Sequence, residues 1–165
     1  MLVKVPRQAW FWYFAAVIIL VLDQISKMLV SHHLDYGQPM EFASYFNFTL
    51  LHNHGAAFSF LAEQGGWQRW FFALLASVVS VALVVWISRT AQKNKREAFA
   101  LAFILGGAIG NLYDRIALGH VVDFIVVHYQ GHFWPAFNLA DSAITLGAVV
   151  LIVDMLFKKE KTIHA

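Results

Sequence analysis

Ala98-Phe-Ala-Leu-Ala-Phe-Ile-Leu-Gly-Gly-Ala-Ile-Gly-Asn-Leu-Tyr-Asp-Arg-Ile-Ala-Leu118 decides the fold. The run is long enough to cross a bilayer as a helix, which takes about 20 residues. It carries no charge before Asp114. Gly106 and Gly110 form a small-xxx-small pattern with Gly107 beside it, a surface that lets another helix approach closely. Asn111, Asp114 and Arg115 follow i, i+3, i+4 spacing, so they share one face about a turn from the end. Asp114 and Arg115 are adjacent and therefore address different neighbours. The segment reads as a membrane helix that packs on its neighbours through glycines and carries polar groups at one end.

Three further apolar stretches have similar length, giving spans at approximately 10–30, 69–88, 98–118 and 137–157. Composition agrees: 59% of the residues are hydrophobic and 13% charged, against roughly 25% charged in an ordinary soluble domain. The first stretch follows Lys4 and Arg7 as a signal peptide would. It is too long for a signal-peptide core, however, and no small-x-small cleavage site follows it, so it is read as a retained span. Residues 1–165 are then expected to form a single integral membrane domain with no soluble domain attached. Residues 41–60 mix aromatics, Thr and Asn with Gly55, which suggests a few short strands lying on the membrane surface.

The basic residues orient the chain. Lys4 and Arg7 precede the first span, Arg89, Lys93, Lys95 and Arg96 lie between the second and third, and Lys158, Lys159 and Lys161 follow the fourth. The other side has only Arg69, with Lys27 and Arg115 at span ends. Both termini and the 89–97 loop are therefore expected in the cytoplasm, with 31–68 and 119–136 outside. The net charge of +2 comes from these flanks and reports topology, not a nucleic-acid surface. With zero cysteines, disulfides, a thiol nucleophile and thiolate metal sites are excluded.

Against this background the acids stand out. A carboxylate at a membrane-helix centre costs about 2.5 to 3.5 kcal/mol on insertion scales, so it marks function or has a partner. Asp23 and Lys27 are four apart near the outer end of the first span and can pair. That pair either anchors the helix end, with Lys27 snorkelling outward, or shapes a site. Asp141 has a structural explanation too: Asn138 could cap the fourth span, and an acid three residues later resembles a capping box. Asp123, in Val121-Val-Asp-Phe124, has no helix start behind it and no evident basic partner. Two carboxyls brought together cannot both ionise easily, so one keeps a proton while the other acts as a base. Asn53, followed by His54 and Gly55, reads alone as a turn residue. Seven histidines lie on the outer side (His32, His33, His52, His54, His120, His128 and His132). His52 and His54 could share a strand face, but no HExxH pattern accompanies them and no functional metal is expected. A GxSxG nucleophile elbow is also missing. Asp154 lies near the cytoplasmic end of the fourth span and reads as interfacial.

Five blocks together resemble one family, the bacterial lipoprotein signal peptidase (signal peptidase II). They are Asp23-Gln-Ile-Ser-Lys27, Asn53-His-Gly-Ala-Ala-Phe58, Gly107-Ala-Ile-Gly-Asn-Leu-Tyr-Asp-Arg115, Val121-Val-Asp-Phe124 and Phe137-Asn-Leu-Ala-Asp141. The resemblance implies an all-α membrane protein, four transmembrane helices with a small strand-containing periplasmic platform. It implies Asp123 and Asp141 as the catalytic pair of a membrane aspartic endopeptidase, with Asp23, Lys27, Asn53, Asn111, Asp114, Arg115, Asn138 and Ala140 lining or bracing the site. The implied substrate is a prolipoprotein cut before its diacylglyceryl-modified cysteine, in contact with membrane lipid. No cofactor, metal or nucleic acid is expected, and the chain is expected to act as a monomer. The active site would lie near the periplasmic face of the cytoplasmic membrane. The helix N-terminus would favour ionised Asp141 as the base, leaving the proton on Asp123. Two other classes use intramembrane charge or none: a proton-coupled transporter relaying through Asp23, Asp123 and Asp141, and a non-catalytic assembly factor. The outer-side clustering of polar groups disfavours the first, since a transport pathway should continue to the cytoplasmic half.

Overall fold

The computed structural model describes residues 5–55 and 66–163. Among the described residues the elements are four helices, α1 (Arg7–His33), α2 (Trp67–Thr90), α3 (Lys95–Ala117) and α4 (Leu139–Ile163), and four strands, β1 (Pro39–Ala43), β2 (Phe46–Asn53), β3 (Val121–Tyr129) and β4 (His132–Phe133). Each helix is long and apolar enough to cross a membrane.

Asn94 starts the central helix, its side chain accepting from the Arg96 and Glu97 backbone N–H groups. Over their most apolar stretches α3 is 56% buried, whereas α1, α2 and α4 are 17%, 22% and 22% buried. The other three helices therefore pack around α3 and turn bulky side chains such as Trp10, Phe14, Leu74, Val81 and Leu156 outward. With lipid outside, no hydrophobic force drives helix onto helix, so close packing holds them together. The glycines supply that approach. A Cβ on Gly106 would stand 2.6 Å from the Ala16 carbonyl of α1, and one on Gly107 would run into the Ala140 carbonyl of α4. Gly147 of α4 returns the contact, its Cβ position lying 2.6 Å from the Ala100 carbonyl of α3. The packing role read from Gly106, Gly107 and Gly110 is thus met on two different helices.

Helix limits differ from the expected spans in an informative way. α1 passes both ends of the 10–30 span and is roughly 40 Å long at 1.5 Å per residue, more than the roughly 30 Å hydrocarbon core. α4 begins at Leu139, not 137, because Phe137 is held in an isolated antiparallel bridge to Ile125 of the chain's sheet. Its N–H donates to the Ile125 carbonyl at 3.1 Å, and its carbonyl accepts from Phe124 and Ile125 N–H at 3.1 and 2.8 Å.

The sheet is antiparallel in the order β1-β2-β3-β4. β1 and β2 fall in the region expected to hold strands; residues 56–60 of that region lie outside the described residues. β3 was not expected, because 119–136 reads as an outer connection. Asp123 pairs with Leu51 and Val121 with Asn53 across β2. Residues 121–124 are buried in succession, so both faces are covered and the apolar run does not alternate as a half-exposed strand would. Phe42, Phe46 and Phe48 meet edge to face on the platform, with ring centroids 4.9 to 6.0 Å apart.

Candidate active site

Asn138 joins the two acids. It sits immediately before α4, fully buried, and its side-chain oxygen accepts from the Asp141 N–H at 2.9 Å. In return the Asp141 carboxylate accepts from the Asn138 N–H at 3.2 Å. This is the reciprocal capping box anticipated for α4. The other end of the same side chain reaches away from the helix: Asn138 Nδ2 donates to Asp123 Oδ1 at 2.7 Å, with the Val122 carbonyl and Asn111 Oδ1 each at 3.2 Å. Capping and functional readings of Asp141 are therefore not alternatives, because the cap is what brings Asp141 beside Asp123.

Each acid has a second amide donor. Asn53 Nδ2 donates to Asp123 Oδ2 at 3.0 Å, while Asn53 Oδ1 accepts from the Gly55 N–H, the turn geometry read from Asn53 and Gly55. Asn111 Nδ2 donates to Asp141 Oδ1 at 2.8 Å. Asp123 is only 3% exposed. Burial, reinforced by the nearby Asp141 charge, pushes its carboxyl up to about 7, against opposing hydrogen bonds from Asn53 and Asn138. Both acids open onto one cavity of about 770 Å³, whose walls include Arg115, Trp134, Phe137, Thr145 and Val149. It runs from the carboxyls along α4 toward apolar side chains.

Beneath the pair lies a buried ionic group. Lys27 Nζ meets Asp23 Oδ2 and Asp114 Oδ2, each at 2.8 Å, and Asn111 Oδ1 at 2.9 Å. The outward-snorkelling alternative for Lys27 is thus ruled out: the side chain points into the bundle and is 3% exposed. Asp23 also accepts from the Ala140 N–H at 2.9 Å, so Ala140 contributes through its backbone at the positive end of α4. Asp114 also accepts from the Val122 N–H at 3.2 Å, tying α3 to the strand that carries Asp123. Arg115 turns elsewhere, as its adjacency to Asp114 requires. It donates to the Asn111 carbonyl at 3.1 Å and the Gly55 carbonyl at 3.4 Å and lies over the Phe72 ring.

Two polar residues were missed in the sequence. Gln24 Nε2 lies 2.9 Å from Asp114 Oδ1 and 3.1 Å from Asp23 Oδ2, bridging two acids on different helices. Helical spacing could not reveal this, since Gln24 neighbours Asp23 in sequence and meets Asp114 only through the fold. Arg69 donates to the Arg115 and Ile116 carbonyls at 2.6 and 2.7 Å, closing the C-terminal end of α3 where a cation is favoured. A lone arginine at the outer start of a span was the available signal. On the platform His52 stacks on His120 at 3.9 Å, and burial lowers the pKa of both rings, each below the ordinary histidine value. Among the described residues no group of three His, Cys, Asp or Glu could hold a metal ion. Asp154, at the opposite end of α4, accepts from Asn94 Nδ2 at 2.6 Å.

Comparison with known proteins places the chain in a family. Residues 15–157 match the family described as Signal peptidase (SPase) II. The lipoprotein signal peptidase of Cellvibrio japonicus is 62% identical over 96% of this chain and 94% of its own length. That of Pseudomonas putida is 56% identical over 94% and 91%. A solved bacterial membrane enzyme, determined in meso at 2.3 Å, superposes with a TM-score of 0.82 at 30% identity, covering 92% of this chain and 90% of that one. The chain is a peptidase and belongs to the signal peptidase II family.

Proposed function

We propose that Asp123 and Asp141 are the catalytic pair with which this peptidase cleaves prolipoproteins before the lipid-modified cysteine. Removal of the prolipoprotein signal peptide is the activity of the chain's family; the assignment of the pair rests on one observation. Two buried acids from different elements open onto the same cavity, held by neutral amides from Asn53, Asn111 and Asn138.

Asp141, in the first turn of α4 at the positive end of the helix, is suited to start ionised. Asp123, its carboxyl pushed up to about 7 by burial, is the acid suited to carry the proton. A water between them gives a proton to Asp141 as its oxygen attacks the carbonyl carbon preceding the cysteine, and Asp123 protonates the carbonyl oxygen. Collapse of the tetrahedral intermediate breaks the C–N bond. The departing nitrogen takes the proton from Asp141, and the intermediate's hydroxyl returns one to Asp123. Arg115 and Asn53 brace the mouth of the site, while Asp23, Lys27 and Asp114 fix α1, α3 and β3 beneath it.

The basic residues of 89–97 support cytoplasmic termini and a site near the outer face. A lipid-modified cysteine there can reach the acids while its acyl chains stay in the bilayer. Residues 1–165 act as one domain and as a monomer. Purified protein should cleave a diacylglyceryl-modified precursor, and Asp123→Asn and Asp141→Asn should each remove that activity while the protein remains folded. Near-normal cleavage by either variant would sink the pair.

A further inference from the structure

A carboxamide beside a carboxylate helps only if its N–H end faces the acid. Turned round, its carbonyl would oppose an ionised oxygen and accept from a protonated one. The two ends of Asn111 are nearly the same shape, so something else must fix the direction. In this site the fixing group is Lys27. An ammonium has three donors and no acceptor, and those of Lys27 meet Asp23 Oδ2, Asp114 Oδ2 and Asn111 Oδ1 at 2.8, 2.8 and 2.9 Å. With Asn111 Oδ1 so engaged, Nδ2 is the end left to meet Asp141 Oδ1 at 2.8 Å. Asn138 Nδ2, 3.2 Å from the same Oδ1, agrees with that orientation.

We propose that Lys27 is a positioning residue for the reaction: by locking the direction of the Asn111 amide it selects Asp141 as the carboxylate that begins the cycle ionised. The inference deepens the assignment of Asp123 and Asp141 as catalytic pair and rests on it. With two carboxylate oxygens and one amide oxygen on its nitrogen, Lys27 has no acceptor to offer, so the end of Asn111 that meets it is the oxygen. The arrangement makes the Asp23–Lys27–Asp114 group more than a clamp between helices. It transmits a donor preference through one amide to the reacting pair, without Lys27 touching substrate.

The charged groups facing the pair are Lys27 and Asp23 on α1, Asp114 and Arg115 on α3, and the two acids themselves. The test must therefore keep local charge constant. In Lys27→Met/Asp114→Asn the ammonium and one carboxylate leave together. We expect a folded protein whose cleavage at neutral pH falls tenfold or more, mainly in kcat, with the acid limb of the pH profile displaced. Lys27→Arg, still donor-only, should retain more activity and keep the wild-type profile shape. A charge-balanced double variant with wild-type kcat and pH profile would overturn the inference, because a purely structural lysine is replaceable that way. A second measurement does not depend on those variants folding. With Lys27 in place, the side-chain ¹⁵N–¹H signals of Asn111 should shift on Asp141→Asn and move little on Asp123→Asn; the reverse pattern would also overturn it. If Asp141→Asn still cleaves, the catalytic assignment itself has failed, an outcome distinct from both.

Discussion

Two pairs of acids lie side by side at the sheet-bearing end of this bundle, and they are treated oppositely. Asp23 and Asp114 share a lysine, with Lys27 within 2.8 Å of both. Asp123 and Asp141 share an asparagine, with Asn138 donating to one through its side chain and to the other through its backbone. Among the described residues every hydrogen-bond partner of the second pair is a neutral amide. In the first pair each acid meets the same cation at salt-bridge distance, which commits its charge to holding α1 against α3. Neutral donors leave the repulsion between the acids in force. On the proposed assignment the same residue type serves as a fastener in one place and a reagent in the other, and the group in the middle makes the difference.

The largest expected effect breaks the second pair. Asp123→Asn or Asp141→Asn should lower cleavage by about 10²- to 10⁴-fold, the usual contribution of a positioned acid or base, with the protein still monodisperse and helical. Cleavage of a fluorogenic lipidated peptide reads this directly, and a loss below tenfold would make the two pairs equivalent. Next comes the first pair. Lys27→Met strands two buried carboxylates and should destabilise the protein by about 3–5 kcal/mol, measured as a lowered unfolding midpoint in detergent. Exchanging Asp23 and Lys27 should not repair it, because Lys27 also serves Asp114 and Asn111, and Asp23 serves the Ala140 N–H.

A third comparison uses pH. The Asp123 carboxyl rises from 3.8 to about 7 on folding, so the folded state holds its proton more tightly than the unfolded one. Its stabilising contribution is full below the unfolded value and is lost as pH rises through about 7. Cleavage should fall over the same upper range as the proton donor is lost. Asp123→Asn should flatten the stability slope between pH 4 and 7; an unchanged slope would mean that another group titrates there. The smallest effect belongs to Asp154, buried at the far end of α4 on Asn94. Asp154→Asn should leave cleavage within about twofold and cost about 1 kcal/mol or less in stability, the scale of one hydrogen bond near a cap.

Much of this contrast could be read in the sequence, but not its geometry. The i, i+4 spacing of Asp23 and Lys27 announced their contact, and i, i+3 spacing placed Asn111 and Asp114 on one face, because a helix converts spacing into direction. Nothing local announced that Lys27 would serve a second helix, or that Gln24 would bridge to Asp114, since these contacts depend on how α1 and α3 cross. β3 was hidden for another reason. Alternation reveals a strand only when one face is wet, and residues 121–124 are buried on both. Asn138 was legible as a cap and not as a clamp on Asp123, because the second role comes from a strand that the pattern concealed.

The reciprocal bonding of Asn138 and Asp141 has a dynamic consequence. Helix ends are where opening is least costly, and the first turn of α4 is also a wall of the cavity. Fraying that turn would release Asn138 and, with it, the hydrogen bond holding Asp123, so local unfolding and loss of the assembled dyad are one event. Amide exchange at Asp141 and Ser142, whose N–H groups bond back to Asn138, would then count how often the enzyme is out of action. A ligand that seats against this turn would slow that exchange in proportion to its occupancy, and one that pries the turn loose would silence the enzyme without touching either carboxylate.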